Sequence, residues 1–456
     1  MPQSPLAVIN IVGLTPALLG EHTPHLNALV ADGFMAPAEG VFPAVTCTAQ
    51  ASMLTGTLPR EHGIVANGWY FRELSEVLLW RQINALMQGD KVWEAARRAH
   101  PGHTTAQLFW WYNQYADVQW SVTPKPIYPA DGRKIPGLYS SPKGFHEGLE
   151  KDLGAFPFFD FWGPKSGLPS SDWIAHCGQR VFAEQRPDLT FIYLPHLDYN
   201  LQRLGPRDPA TWQDVAAIDA VAGRLIDDLR GQGADILVVS EYGIEQATGV
   251  VNINQHLRAE GWLAARDTLG WELLDFGASR AFAMADHQVA HVYIKDPADI
   301  PRVKRSLEGL DGIERVLDED GKRELGLDHA RSGELVAMAA PGHWFTYYYW
   351  LDHAKAPDFA PTVDIHRKPG YDPCELFIDP DLRFPKLRII KRLIQKKLGM
   401  RMLMDVIPIK PGLVKGTHGR PAEGDEDGPL IIGSRRDLAR DRLALTDVKS
   451  LILAHR

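Results

Sequence analysis

The sequence predicts an α/β protein, a mostly parallel central sheet flanked by helices and interrupted by an inserted cap region. Three observations carry that expectation. The chain has 456 residues, enough to bury a large core. Apolar strand-like runs alternate with amphipathic helical stretches, the rhythm of crossover units. Short polar segments then fall just after several of those runs, where open α/β sheets gather ligands.

The first element is "LAVINIVGLTP", residues 6 to 16. Six of the seven residues from Leu6 to Val12 are apolar, so it reads as a buried strand running into a glycine turn. A helix is expected over about 24–31, another over about 91–99, and a strand over about 107–110. "SDWIAHCGQRVFAEQ" reads as a helix leading to the strand "LTFIYL", and "PATWQDVAAIDAVAGRLIDDLRG" as a helix leading to "ADILVVS". Between them, residues 111–170 are rich in Pro, Gly and aromatics and lack periodicity, so irregular loops are expected there. A second interruption has its own strand and helix signals, "HVYIKD" and "PRVKRSLEGL". The expected division is a core of 1–254 and 411–456 with an inserted cap and basic helix over 255–410.

Residues 385–404, "PKLRIIKRLIQKKLGMRMLM", read as a basic amphipathic helix. Leu387, Ile390, Ile394 and Leu398 lie near one face, and Lys386, Lys391, Arg392, Lys396 and Lys397 supply the charge. A solvated face on a packed helix is the plain reading, and contact with an acidic partner or a membrane surface is the other.

Composition narrows the function classes. Hydrophobic residues make up 45% and charged residues 23%, ordinary globular values that argue against disorder. A net charge of −8 gives no general case for nucleic-acid binding. The three cysteines, Cys47, Cys177 and Cys374, form no CxxC pair, which argues against a disulfide framework or a thiolate zinc site. A core strand already begins at Leu6, and no apolar segment reaches the roughly 18 residues of a transmembrane helix. A cytoplasmic protein is expected.

The strongest motif is "FPAVTCTAQASMLTGTLPREHGIVANGWY", residues 42–70. On its own, Thr46 reads as a helix N-cap. The segment as a whole resembles the nucleophile region of the nucleotide pyrophosphatase/phosphodiesterase branch of the alkaline phosphatase superfamily, with F-P-T-x-T-x-P-N, then T-G, then H-G-I-x-x-N. The match includes Phe42, Pro43, Thr55, Gly56, His62, Gly63 and Ile64. Three later segments keep the family order: "YLPHLDYNLQRLGP" (193–206), "VVSEYGI" (238–244) and "VKGTHGR" (414–420). The resemblance implies an alkaline-phosphatase-like fold and a hydrolase acting on a phosphodiester or pyrophosphate bond of a phosphorylated or nucleotide-like small molecule. It also implies that Thr46 is the nucleophile and that Asn67 holds a phosphate oxygen.

The same resemblance implies two divalent ions held by three aspartates and three histidines, and this chain departs from that set. Asp198 and His418 match. Val12, Glu241 and Gln202 stand where an aspartate, an aspartate and a histidine are expected, and Tyr242 replaces a further histidine. Val12 cannot ligate. The half of the site beside the nucleophile is therefore depleted, whereas Asp198, Gln202 and His418 remain possible ligands for at most one tightly bound ion, zinc or a harder ion such as Mn or Mg. Glu241 and Tyr242 are read as substrate contacts or as groups closing a polar cavity, and His196 as an additional ligand candidate. His366, Arg367 and Lys368, in "TVDIHRKPGYDPCELF", either lie near the site or brace it. Two alternatives stand beside hydrolysis: a binding protein that keeps the phosphate pocket, and an enzyme of altered chemistry using Glu241 or Tyr242 as acid or base.

Overall fold

Leu6–Ile11 (β1) is buried along its whole length because the sheet is covered on both faces, which is what its near-continuous apolar sequence requires. The computed structural model describes residues 4–130 and 133–455. Phe34–Glu39 (β2), Thr105–Leu108 (β3), Trp120–Pro124 (β4), Leu138–Ser141 (β5), Leu189–Leu194 (β6), Asp235–Val239 (β7), Leu430–Gly433 (β8) and Leu443–Ala444 (β9) complete a nine-stranded sheet in the order β9-β2-β8-β7-β1-β6-β3-β4-β5. β1 runs parallel to both β6 and β7, so the carboxyl ends of these three strands open on the same edge. The outer pairings β4–β5, β2–β8 and β8–β7 are antiparallel.

The helices that return the chain between parallel strands bury one face each. Leu168–Gln185 precedes β6, and Thr211–Gly231 precedes β7 and buries Val215, Ile218, Val221, Ala222, Leu225, Ile226 and Leu229 at helical spacing. These elements agree with the expected crossover units. A second core lies under a four-stranded antiparallel sheet of Ala281–Asp286, Val289–Ile294, Leu335–Ala339 and Ile313–Leu317. Ala66, Val77 and Leu79, from the first part of the chain, join that core.

Two expectations are corrected. Residues 111–170 are not loops throughout: β4 and β5 extend the sheet, and Phe145–Leu153 is a helix. Their inward residues include Ser121, Thr123 and Ser140, which are buried but polar, so no apolar alternation marks them. The basic helix also stops at Lys397 rather than running to 404. Gly399 at φ +74° breaks it, a left-handed conformation that glycine adopts without a Cβ penalty.

Candidate functional site at the carboxyl edge of the sheet

Thr46 opens the helix Thr46–Thr55, but Val45 is its N-cap and no side chain caps it. The hydroxyl of Thr46 turns instead to the phenol of Tyr242, 3.0 Å away. The cap expectation is thus replaced by a contact between two site residues. Tyr242 and Glu241 follow β7, Val12 follows β1, and Asp198 and Gln202 lie one turn apart on His196–Leu204, the helix after β6. His418 arrives from Gly416–Thr417, a short strand that presses against that helix. A Cβ on Gly416 would fall 2.0 Å from the Leu201 carbonyl oxygen, so this approach needs glycine.

These groups satisfy one another. Tyr242 donates to Asp198 Oδ1 at 3.4 Å, and its ring stacks on His418 at 3.7 Å and 8°. Gln202 Nε2 donates to Asp198 Oδ2 at 2.8 Å, while Gln202 Oε1 accepts from the Tyr371 hydroxyl at 2.9 Å. His418 Nδ1 lies 2.7 Å from the Ala44 carbonyl, which fixes the tautomer that leaves Nε2 toward Asp198 Oδ1, 3.9 Å away. Burial, with His287 adding to it, holds the His418 imidazole well below the usual range, and so neutral. Burial also raises Asp198 to about 6, against the lowering pull of His287 and of the Gln202 and Tyr242 hydrogen bonds.

Glu241 is completely buried. Its Oε1 accepts from Asn10 Nδ2 at 2.6 Å and Gln50 Nε2 at 2.7 Å, and Oε2 has no hydrogen-bond partner among the described residues. Desolvation lifts this carboxyl to about 8, so at neutral pH it carries a proton. Asn67 is tied at both ends: Oδ1 accepts from the Cys47 amide at 3.0 Å and Nδ2 donates to Asp286 Oδ1 at 3.1 Å.

These residues do not fit the two-ion site that the resemblance implies. Beside the nucleophile, Val12 is buried and offers no donor, Tyr242 spends its hydroxyl on Thr46 and Asp198, and Glu241 is a neutral acid already holding two amides. In the other half, the Gln202 oxygen is engaged by Tyr371, leaving Asp198 and His418. His196 turns away to Asp214 at 3.1 Å. Among the described residues no group of three or more His, Cys, Asp and Glu side chains is arranged to hold a metal ion.

Sequence reasoning missed Asn10, Gln50, Asp286, His287 and Tyr371. His287 is the most telling. It occupies the turn between two strands of the second sheet at φ +56°, a conformation uncommon outside glycine and enriched at functional sites. Its Nδ1 lies 2.7 Å from Asp286 Oδ1, its ring is sandwiched between Tyr371 and His418, and its Nε2 is unpartnered among the described residues. The available signal was the Asp-His pair in "ADHQVAH", between two apolar runs. Of the "IHRK" residues, His366 and Arg367 line the cavity, whereas Lys368 is buried between Asp372 and Glu375 at 2.7 Å each and braces the fold.

Thr46, Asp198, Gln202, Tyr242, His287 and His418 face a cavity of about 1890 Å³. Its walls carry Trp80, Trp111, Trp162, Tyr193, Tyr199 and Tyr371, and its outer parts Lys125, Lys134, Arg81 and Arg367. An aromatic interior with convergent polar groups at the bottom and cations outside suits an anionic small molecule with an apolar part.

Comparison with known proteins agrees with this fold. Phosphonoacetate hydrolase from Sinorhizobium meliloti 1021, solved with phosphonoacetate, superimposes with a TM-score of 0.63 at 16% identity, over 100% of this chain and 96% of that one. Murine ectonucleotide pyrophosphatase/phosphodiesterase 5, solved as an inactive variant with AMP, superimposes with a TM-score of 0.59 at 16% identity, over 99% and 95%. An uncharacterized pyrophosphatase/phosphodiesterase of Schizosaccharomyces pombe is 24% identical over 239 residues, 51% of this chain and 41% of the relative, so the match spans about two fifths of that relative's length. Residues 6–372 match the type I phosphodiesterase/nucleotide pyrophosphatase family, and the chain belongs to that family.

Proposed function

We propose that the chain hydrolyses a phosphodiester or pyrophosphate bond of a phosphorylated small molecule with Thr46 as nucleophile, and that a proton relay replaces two-metal activation. The observation that carries the reading is the Thr46–Tyr242–Asp198 chain, with its 3.0 and 3.4 Å contacts. As Thr46 Oγ attacks phosphorus, its proton passes to the Tyr242 oxygen while the Tyr242 proton passes to Asp198. Tyr242, which burial pushes well above the usual phenol range, stays neutral before and after the transfer. Asp198, raised to about 6, is ionised at neutral pH yet a stronger base than an ordinary carboxylate. The bond from phosphorus to the leaving oxygen breaks, and that oxygen takes a proton from solvent. Water then cleaves the threonine ester. Asn67 retains one N–H for a phosphate oxygen, and Glu241, as a neutral acid, adds no charge against the incoming anion.

Asp198 and His418 leave room for at most one divalent ion, zinc, Mn or Mg, and no step above runs through it. The cysteines are buried and unpaired, which supports a reducing compartment, the cytoplasm. Among the described residues no helix is long and apolar enough to cross a membrane. A second reading, a phosphate-binding protein without turnover, is favoured by the way the Gln202 amide and Oε1 of Glu241 are taken up by protein partners. Hydrolysis of bis-p-nitrophenyl phosphate by chelator-treated protein separates the two. Turnover lost in Thr46→Ala supports the relay. Identical rates in Thr46→Ala and the parent, with calorimetric binding of a nucleoside monophosphate in both, support the binding protein.

A further inference from the structure

Residues 383–401 run against the charge of the rest of the chain. They contain eight Lys and Arg and no Asp or Glu, in a protein of net charge −8. The helix Pro385–Lys397 is anchored from one side. Arg388 and Arg392 both pair with Asp405, and Ile389 packs against the buried cluster that includes Cys374, Val406 and Ile407. The opposite face is exposed and apolar: Leu387, Ile390, Leu393, Ile394 and Leu398 fall within one arc, with Leu387 62% and Leu398 71% exposed. Met400 and Leu403 continue this surface. Lys386, Lys391 and Lys397 stand along it, and among the described residues none of their ammonium groups has an ion-pair partner.

This surface is one lip of the cavity that holds Thr46, since Leu393, Lys396 and residues 399–406 line the mouth. The other lip carries Tyr115, Tyr128 and Phe159, 63%, 53% and 65% exposed, beside Lys125 and Lys165. Both lips therefore present apolar or aromatic side chains interleaved with lysines. A bilayer carrying negative charge is complementary to that pattern: apolar residues enter the acyl boundary, aromatic rings sit at headgroup level, and lysine stems reach back to the phosphates. We propose that the helix Pro385–Lys397 and the facing lip form a docking surface for an anionic lipid bilayer, which sets the cavity mouth against the membrane. The inference holds whether or not Thr46 turns substrate over.

Sedimentation of the whole 456-residue chain with phosphatidylcholine vesicles, with and without phosphatidylglycerol at a third of the lipid, tests this. Expected is binding to the anionic vesicles that weakens with salt and is at least about tenfold weaker on the neutral ones. The Lys386→Glu/Lys391→Glu/Lys397→Glu variant should lose roughly a hundredfold, and Ile390→Glu/Ile394→Glu should abolish binding. All five side chains are exposed, so thermal melting of both variants should match the parent. No binding to anionic vesicles, or equal binding to neutral ones, overturns the proposal. So does a parent dimer in light scattering that Ile390→Glu/Ile394→Glu converts to monomer without any effect on vesicle binding, because the face then belongs to a second copy.

Discussion

Replacing Glu241 with Gln should remove one specific pH dependence of stability. Burial lifts this carboxyl from 4.5 to about 8, and Asn10 and Gln50 bind the same oxygen in either protonation state. A carboxyl whose folded value lies above its unfolded one contributes stability that is present at low pH and lost as pH rises through the folded value. Between about pH 6.5 and 8.5 the folded protein goes from mostly protonated to mostly ionised at this position while the unfolded chain stays ionised, a loss of about 2 kcal/mol at 1.36 kcal/mol per pH unit. Histidines held low by burial, His62, His291 and His418 among them, push the other way over the lower part of this range but act equally in both proteins. The useful quantity is thus the difference between parent and Glu241→Gln. Urea unfolding at the two pH values should find the parent losing about 2 kcal/mol relative to the variant. Parallel stability curves across that range would refute a neutral, buried Glu241.

Three further outcomes follow from the same contacts. Activity should rise with pH through about 6 as Asp198 ionises, and Asp198→Asn should remove that limb of the profile along with most of the rate. Because the Thr46 hydroxyl makes no cap bond, Thr46→Ala should change stability by no more than about 1 kcal/mol while abolishing turnover, read by thermal melting beside the diester assay. Lys368→Met strands Asp372 and Glu375 in the interior and should cost about 3 to 5 kcal/mol in denaturant unfolding.

What the sequence revealed follows burial geometry. β1, β6 and β7 are buried on both faces, so their apolar runs announced them, and the site segments could be read because they follow those strands directly. β4 and β5 stayed hidden because Ser121, Thr123 and Ser140 take most of their buried positions, with Val122 the one apolar residue among them. Thr46, Asp198, Glu241, Tyr242 and His418 stood out by motif. Their partners did not, because Asn10 meets Glu241 across 231 residues and Gln50 meets it across 191, and no local pattern encodes such a pair. His287 belongs to a turn of the second sheet, which a reading centred on the first sheet had no reason to bring to Thr46. Gln202 was legible as a donor, but not its commitment to Tyr371, 169 residues on.

In the proposed relay Thr46 acts through Tyr242 and Asp198 rather than through a pair of ions. The most direct test is elemental analysis of dialysed protein, with diester hydrolysis measured on the same sample before and after chelation, for the parent and Tyr242→Phe. The account predicts no more than one equivalent of divalent metal per chain, hydrolysis that survives chelation, and its loss in Tyr242→Phe. Two equivalents of bound metal, with activity that vanishes on chelation and returns when the metal is restored, would contradict it.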